Sequence, residues 1–452
     1  MELRKGQRAL IMGLAKSGLA SARLLSEHGL SVCVNDRRER ATPDDEADAL
    51  EESGCEVVLG GHPISLLEPR PDFIVKNPGI PYSVPLVAEA ARLGIPIYTE
   101  IEVASWLTQS PIIAITGSNG KTTTTSLVGA MLEAAGKQPV VAGNIGTVLS
   151  GVVEHVRLEQ PIVLEVSSFQ LMGTKEFHPT MAALLNLYPA HLDYHGTFEA
   201  YIDAKWRMFA NMEKEDVAIL NFDQDIIRNR AGELTPEVVW FSRTAEVATG
   251  VCIRDGQIVV RNNGETTAVL AVDQLALRGE HNLENALAAT AMSIWAGAPV
   301  AAVADTLRSF TGIEHRLEFV RELQGVSYFN DSKATNPEAA LRALRSFETP
   351  IVWIAGGLDR GIDFLNMTAD LARHVRAAVV LGQSAEKLMR ACHAAGIAVV
   401  RQVADLDEAV RTASDIAQPG ETVLLSPACA SWDMFSSFEV RGSMFKNLVH
   451  TL

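Results

Sequence analysis

Paired cysteines are missing from this 452-residue chain: Cys33, Cys55, Cys252, Cys392 and Cys429 are odd in number and widely scattered. No CxxC and no metal-type spacing joins them, so the expectation is reduced cytosolic thiols, not a disulfide framework or a zinc site. Basic residues are also in short supply, 39 against 55 acidic ones. The net charge of −16 argues against nucleic acid or an anionic membrane as the main partner. No apolar run approaches the ~18 residues needed to span a bilayer, so no membrane insertion is expected. The start, MELRKGQRALIMGLAKSG, sets basic residues before a short apolar run that passes straight into a glycine turn with no small-residue cleavage site. It reads as a first strand and not as a signal peptide. Also absent are a repeat period, a low-complexity linker and a Ser-His-Asp pattern for covalent hydrolysis.

Ordinary globular composition is present, with 47% hydrophobic and 21% charged residues. The length exceeds one ordinary core, and roughly 100–200 residues per domain predicts two to four domains, three being the central value. Short apolar runs alternate with longer helical patterns, the signature of an α/β fold with parallel sheets covered by helices. Strands are expected at 9–13, 31–36, 73–79 and 95–100, forming a Rossmann-like N-terminal domain over 1–99. A central P-loop ATPase domain is expected over 100–312 and a second Rossmann-like domain over 313–452, with strands at VSYFN, IVWIAGG, AAVVLG and TVLLSP.

The strongest local signal is Thr116-Gly117-Ser118-Asn119-Gly120-Lys121-Thr122-Thr123, between an apolar strand and a helical pattern. Small residues let backbone N–H groups curl around phosphates, the helix N-terminus adds favourable potential, Lys121 reaches the terminal phosphates, and Thr122 would hold Mg²⁺. The general P-loop pattern needs glycine at position 115, where Ile115 stands, so this is a shorter variant. A phosphate loop alone leaves GTPase, kinase, transporter ATPase and ligase open.

Two further residues carry chemistry. Glu165 interrupts an apolar strand, where an ionised carboxylate is costly unless paired or metal-bound; a solvated strand-end acid is the alternative. Downstream, Tyr201, Ala204, Met208 and Met212 form an apolar helical stripe into which Lys205 falls. Snorkelling to a domain edge would explain such a lysine. A buried neutral amine can instead take up CO₂ as a carbamate able to ligate Mg²⁺. Sequence leaves both open.

Gly13-Leu14-Ala15-Lys16-Ser17-Gly18 superficially matches a dinucleotide fingerprint, with Asp36 placed 23 residues after Gly13. Ala15 replaces the glycine that lets backbone approach a pyrophosphate, which weakens an NAD reading without eliminating it.

Read in order, TGSNGKTTT, GNIG, LEVSSFQL, HLDYHGTFEAYIDAK, GEHNLENALAA, EHR, NDSKATNP, GGLDRGIDF and SPACASWDMFSSFEVRG resemble the Mur ligases along nearly the whole chain. The resemblance implies a cytoplasmic, ATP-dependent amide ligase of peptidoglycan precursor synthesis. Its three domains would hold the UDP part of the substrate, ATP, and the incoming amino acid on a mobile C-terminal domain. Within the family the motifs are most similar to the branch that adds D-glutamate to UDP-N-acetylmuramoyl-L-alanine, expected to act as a monomer.

On that template Gly117, Ser118, Asn119, Gly120, Lys121, Thr122 and Thr123 cradle ATP, Asn282 and Asn285 take its adenine side, and Arg316 with Asp331 its ribose. Lys121, Glu165, His191 and Lys205 form the catalytic set, and Thr122, Glu165, His191 and carbamylated Lys205 organise two Mg²⁺ ions. The resemblance puts the uridine diphosphate near Lys16, Ser17, Asp36, Arg37, Asn77 and Gly79, and the muramoyl-alanine region at Asn144. D-glutamate would meet Arg360 and Thr335 at one carboxylate and Ser431 and Phe438 at the other, with Lys333 nearby; Phe438 is equally readable as core packing. Arg360 stands where some members carry lysine, and a guanidinium can still grip a carboxylate. Of the rivals, a folylpolyglutamate synthetase gives residues 1–99 no use, a NAD-dependent dehydrogenase leaves the Gly-Lys-Thr-Thr loop unexplained, and an ATP-driven switch protein leaves Lys205 and Arg360 without work.

Overall fold

The computed structural model describes residues 3–41, 43–144, 147–277, 279–347 and 349–452, with Asp193 by its backbone alone. Ile145 and Gly146 of the GNIG motif therefore lie outside the described residues. The chain divides into two compact units, Met1–Phe310 and Thr311–Leu452.

The first unit contains two sheets. The strands β1 (Arg8–Met12), β2 (Ser31–Asp36), β3 (Glu56–Leu59), β4 (Phe73–Lys76) and β5 (Ile97–Tyr98) form a parallel sheet in the order β3-β2-β1-β4-β5. Near-continuous apolar runs suit strands covered on both faces: Ala9, Leu10, Ile11 and Met12 are all fully buried. Two strands are shorter than their apolar runs. β4 stops at Lys76 because Asn77 opens a turn through Pro78, which has no N–H to give the ladder. β5 stops at Tyr98 because Thr99 leads into the helix Glu100–Ser105.

The second sheet comprises β6 (Ile112–Thr116), β7 (Val140–Gly143), β8 (Ile162–Glu165), β9 (Met181–Leu184), β10 (Val217–Asn221), β11 (Glu237–Ser242), β12 (Gly250–Arg254), β13 (Gln257–Asn262) and β14 (Glu265–Ala271). Its order is β14-β13-β12-β11-β10-β9-β6-β8-β7. The pairs among β6 to β12 are parallel, and β13 and β14 extend the edge as an antiparallel meander. Helices Lys121–Ala134 and Glu280–Trp295 pack on one face, where Leu127, Met131, Leu287 and Met292 are fully buried. Burying each such side chain contributes roughly 1.5–3 kcal/mol. Glu102 anchors the helix that joins the two sheets: its buried carboxylate accepts the N–H groups of Lys175, Glu176 and Phe177 at 2.9, 2.8 and 2.9 Å and the Trp106 indole N–H at 3.2 Å.

The second unit is one sheet of β15 (Glu318–Leu323), β16 (Val326–Asn330), β17 (Ile351–Gly356), β18 (Val375–Leu381), β19 (Val399–Gln402) and β20 (Thr422–Leu425). Its order is β15-β16-β20-β17-β18-β19, parallel except for the β15–β16 hairpin. Trp353 at its centre is fully buried and donates its indole N–H to the Ser426 carbonyl at 2.8 Å. Among the described residues no helix is long and apolar enough to cross a membrane.

Candidate active site

In a parallel sheet, ligands gather beyond the carboxyl ends of the strands, where neighbouring connections diverge. In the second sheet that point lies after β6, flanked by β8 and β9. The loop Gly117–Gly120 leaves β6 there and enters the helix Lys121–Ala134 through Gly120, whose φ of +80° is left-handed. The loop is fixed from the end of β9: Ser118 N–H donates to the Asn186 carbonyl at 2.9 Å and Asn119 N–H to Asn186 Oδ1 at 2.8 Å. Ser118 Oγ also lies 3.0 Å from the Tyr201 hydroxyl. Lys121 Nζ donates to the Gly117 and Ser118 carbonyls at 2.9 and 3.1 Å, so its charge sits over the loop. Thr122 is buried and Thr123 half-buried in the first helical turn. Asn285 packs on the loop's underside and donates through Nδ2 to Asn282 Oδ1 at 3.3 Å.

Glu165 ends β8 at 1% exposure, and Asn144 Nδ2 donates to its Oε1 at 2.9 Å. Its Oε2 is buried with no hydrogen-bond partner among the described residues. Lys205, in the helix Phe198–Trp206, is also 1% exposed. Its Nζ donates to the Gly117 carbonyl at 2.8 Å and to Thr116 Oγ1 at 3.2 Å, so it does not snorkel. Burial first, and the Lys121 charge second, hold this amine well below the usual lysine range, while Glu165 opposes the shift. The enclosure favours the uncharged amine more than an exposed lysine's surroundings would. Tyr201, Ala204, Met208 and Met212 are buried as the helical stripe required, although regular helix ends at Trp206 and a short 3₁₀ turn follows. His191 takes φ of +54° at the start of the turn Leu192–His195, its ring 4.9 Å from Phe169.

The residues expected at the first sheet also meet at a switch point, between β1 and β4. Asp36 Oδ2 accepts the Leu14 N–H at 2.6 Å, and Asn77 Nδ2 donates to Ser17 Oγ at 3.2 Å. Gly13 is required, because a Cβ there would lie 2.7 Å from Asn77 Cβ. Lys16, Arg37 and Gly79 are exposed at this edge.

In the second unit Arg316, Asp331 and Lys333 line a cavity of about 200 Å³. Asp331 accepts from Ser426 Oγ at 2.7 Å and from the Leu317 N–H at 3.3 Å, and burial pushes its carboxyl up to about 7 against these bonds. Lys333 Nζ lies 5.6 Å from the Phe438 ring centre, and the Phe438 carbonyl accepts from Ser332 Oγ at 2.8 Å, so Phe438 faces this cluster by ring and by backbone. Thr335 is half-buried, Ser431 buried, and Arg360 exposed over the Trp432 ring at 4.8 Å.

Sequence reasoning missed the residues that hold these groups in place. Arg441 is 3% exposed and donates to Ser332 Oγ and to the carbonyls of Ser332, Gly356 and Cys429 at 2.9, 2.9, 3.4 and 3.2 Å. It gathers the three loops that carry Lys333, Arg360 and Ser431. A lone arginine early in an apolar C-terminal helix was its only signal. Asn186, Tyr201 as a hydroxyl, Lys76 and Trp432 were likewise unassigned.

A glycine loop between strand and helix at a sheet's switch point, beside a buried carboxylate and a buried lysine, defines a P-loop α/β nucleotide-binding protein. The family descriptions "Mur ligase MurD-like, N-terminal domain", "Mur ligase middle domain" and "Mur ligase, glutamate ligase domain" match residues 7–99, 115–293 and 315–429. The UDP-N-acetylmuramoylalanine--D-glutamate ligase of Geobacillus kaustophilus is 46% identical over 447 residues, 99% of this chain and 98% of the relative. That of Streptococcus pneumoniae serotype 19F is 45% identical over 449 residues, covering 99% and 98%. Among solved structures, UDP-N-acetylmuramate-alanine ligase MurC from Thermotoga maritima superposes with a TM-score of 0.52 at 19% identity, covering 98% of this chain and 99% of that one. MurF ligase from Thermotoga maritima in complex with ADP gives 0.51 at 17% identity, covering 100% and 96%. The chain belongs to the Mur ligase family.

Proposed function

We propose that this chain joins D-glutamate to UDP-N-acetylmuramoyl-L-alanine at the expense of ATP, as a cytoplasmic monomer in peptidoglycan precursor synthesis. The observation that carries the reading is Lys205, an amine sealed against the phosphate loop beside Glu165 with its basicity lowered by burial, in a chain 46% identical along its length to a ligase of that name. Residues 1–99 would hold the uridine diphosphate, 100–312 ATP, and 313–452 D-glutamate.

A carboxylate does not acylate an amine at neutral pH, because hydroxide is a poor leaving group. The alanyl carboxylate oxygen attacks the γ-phosphorus and ADP leaves, giving an acyl phosphate. The neutral amine of D-glutamate attacks the carbonyl carbon, a proton goes to solvent, and the tetrahedral intermediate expels phosphate as the amide forms. Lys121 and the N–H groups of the loop hold the transferring phosphoryl group. Asn282 and Asn285 take the adenine side, and Arg316 and Asp331 the ribose. Lys333, Thr335, Arg360, Ser431 and Phe438 orient D-glutamate, and Asn144 the alanyl end.

The residues present fit Mg²⁺. Glu165 Oε2 is a buried acceptor without a hydrogen-bond partner among the described residues, and hard oxygen donors suit the ion. Thr122, Glu165, His191 and Lys205 would hold two ions, Lys205 after its amine adds to CO₂ and loses a proton to become a carbamate. When bound there, Mg²⁺ would offset charge on the β- and γ-phosphates.

The test is phosphate release from ATP with UDP-N-acetylmuramoyl-L-alanine and D-Glu, L-Glu, D-Ala, L-Lys or meso-diaminopimelate, with product mass checked. Turnover with D-Glu alone is expected. Turnover with another acceptor overturns the substrate assignment, and none with any acceptor overturns the ligase reading.

A further inference from the structure

Lys76, the last residue of β4, is wholly enclosed. A buried ammonium is costly unless its protons are matched. Its partners here are neutral oxygens: the carbonyls of Asn77, Pro78 and Ile80 at 3.1, 3.3 and 2.7 Å, and the Tyr194 hydroxyl at 3.4 Å. The Tyr82 ring centre lies 4.7 Å away. Burial lowers the amine to about 8, which marks how much solvation it has given up. The Tyr194 hydroxyl itself is within donating reach of the Pro78 and Ile80 carbonyls, at 3.2 and 3.3 Å.

An apolar side chain of similar length would fill this space without the desolvation cost. The ammonium therefore contributes direction, not packing, drawing three carbonyls of one turn and a hydroxyl from 118 residues away to one point. Each side of that point leads to a different part of the candidate site. The turn presents Asn77, which contacts Ser17, and Gly79, whose N–H donates to Asn77 Oδ1 at 3.0 Å. The Tyr194 ring packs edge-on against Phe169 at 4.7 Å, and Phe169 against His191 at 4.9 Å.

We propose that Lys76 is a positioning residue that ties the turn Asn77–Ile80, which would bind the diphosphate, to the segment bearing His191. Docking of the nucleotide end of the substrate and alignment of its reactive carboxyl end are thereby set together. The inference rests on the proposed function and adds a residue to it.

The test compares Lys76→Met, Tyr194→Phe and the double variant with the wild type in the full chain, measuring KM for each substrate, the Mg²⁺ activation constant and the melting temperature. Lys76→Met is expected to raise both KM for UDP-N-acetylmuramoyl-L-alanine and the Mg²⁺ constant about tenfold, leaving KM for D-glutamate within about twofold. Tyr194→Phe shifts the same two constants about threefold, and the double variant is no worse than Lys76→Met because both act at one point. Constants unchanged in Lys76→Met, a uniform loss across all substrates, or additive effects in the double variant overturn the inference. Should Lys76→Met melt below the assay temperature, unchanged constants in Tyr194→Phe overturn it alone. A wild type releasing no phosphate with these substrates overturns the proposed function, and the inference with it.

Discussion

The Asn285 carboxamide occupies the space that a side chain at position 120 would need: a Cβ on Gly120 would lie 2.1 Å from Asn285 Oδ1. The phosphate loop is thus backed by a helix that begins 160 residues downstream at Glu280. Gly120→Ala meets this obstruction as well as the strain of a left-handed φ, about 1–2 kcal/mol for an L side chain. The expected result is a loss of about 1–3 kcal/mol in denaturant unfolding and a rise of at least about tenfold in KM for ATP. Adding Asn285→Ala should restore part of the stability without restoring ATP affinity.

Lys205→Ala removes the amine that the carbamate reading requires. Activity is expected to fall at least about 10²–10³-fold, with partial recovery on adding acetate or propionate as a diffusible carboxylate. Depleting CO₂ from the wild-type assay should slow turnover reversibly. Full activity in the alanine variant would sink the carbamate assignment.

Asp331 titrates in the opposite sense to most paired carboxylates. Its carboxyl rises from 3.8 to about 7. As pH climbs through that window the unfolded chain releases a proton that the folded unit retains, so wild-type stability falls, and above about 7 the penalty is constant. At about 1.36 kcal/mol per pH unit, Asp331→Asn should gain about 2–4 kcal/mol on the wild type between pH 4 and 8. Chemical denaturation of both proteins at those two pH values checks it; a constant difference refutes the raised carboxyl.

Arg441→Met leaves three buried carbonyls and a hydroxyl without their shared donor. Hydrogen bonds to a charged donor are worth about 1.5–3 kcal/mol each, offset here by release of a desolvated guanidinium that burial has lowered to about 10. A net loss of about 1–3 kcal/mol is expected. A larger KM for D-glutamate than for ATP should accompany it, because the loops it joins carry Lys333, Arg360 and Ser431. Equal effects on both substrates would reduce Arg441 to a fold residue.

The α/β class, the parallel strands and the phosphate loop were legible because each is a short-range signal: an apolar run, a glycine pair, a helical period. Lys205 was legible as an anomaly in an apolar stripe, but not its choice between snorkelling and burial, which depends on the Gly117 carbonyl that caps its amine. The antiparallel strands β13 and β14 went unread, although the apolar runs Ile258–Val260 and Val269–Leu270 flank an Asn263-Gly264 turn with left-handed φ at both residues. β19, with Arg401 and Gln402 exposed at a sheet edge, is fainter.

The sequence alone determined which chemical groups this protein possesses and the local conformations that present them, since backbone sterics, side-chain period and glycine tolerance act over a few residues. Tertiary structure alone decided which groups are neighbours. Lys76 with Tyr194, Gly120 with Asn285, and Arg441 with Ser332 and Gly356 are joined across long stretches of chain. The lowered basicity of Lys205 and the raised carboxyl of Asp331 follow from the same enclosure. Desolvation depends on everything packed around a group, which no window of sequence contains.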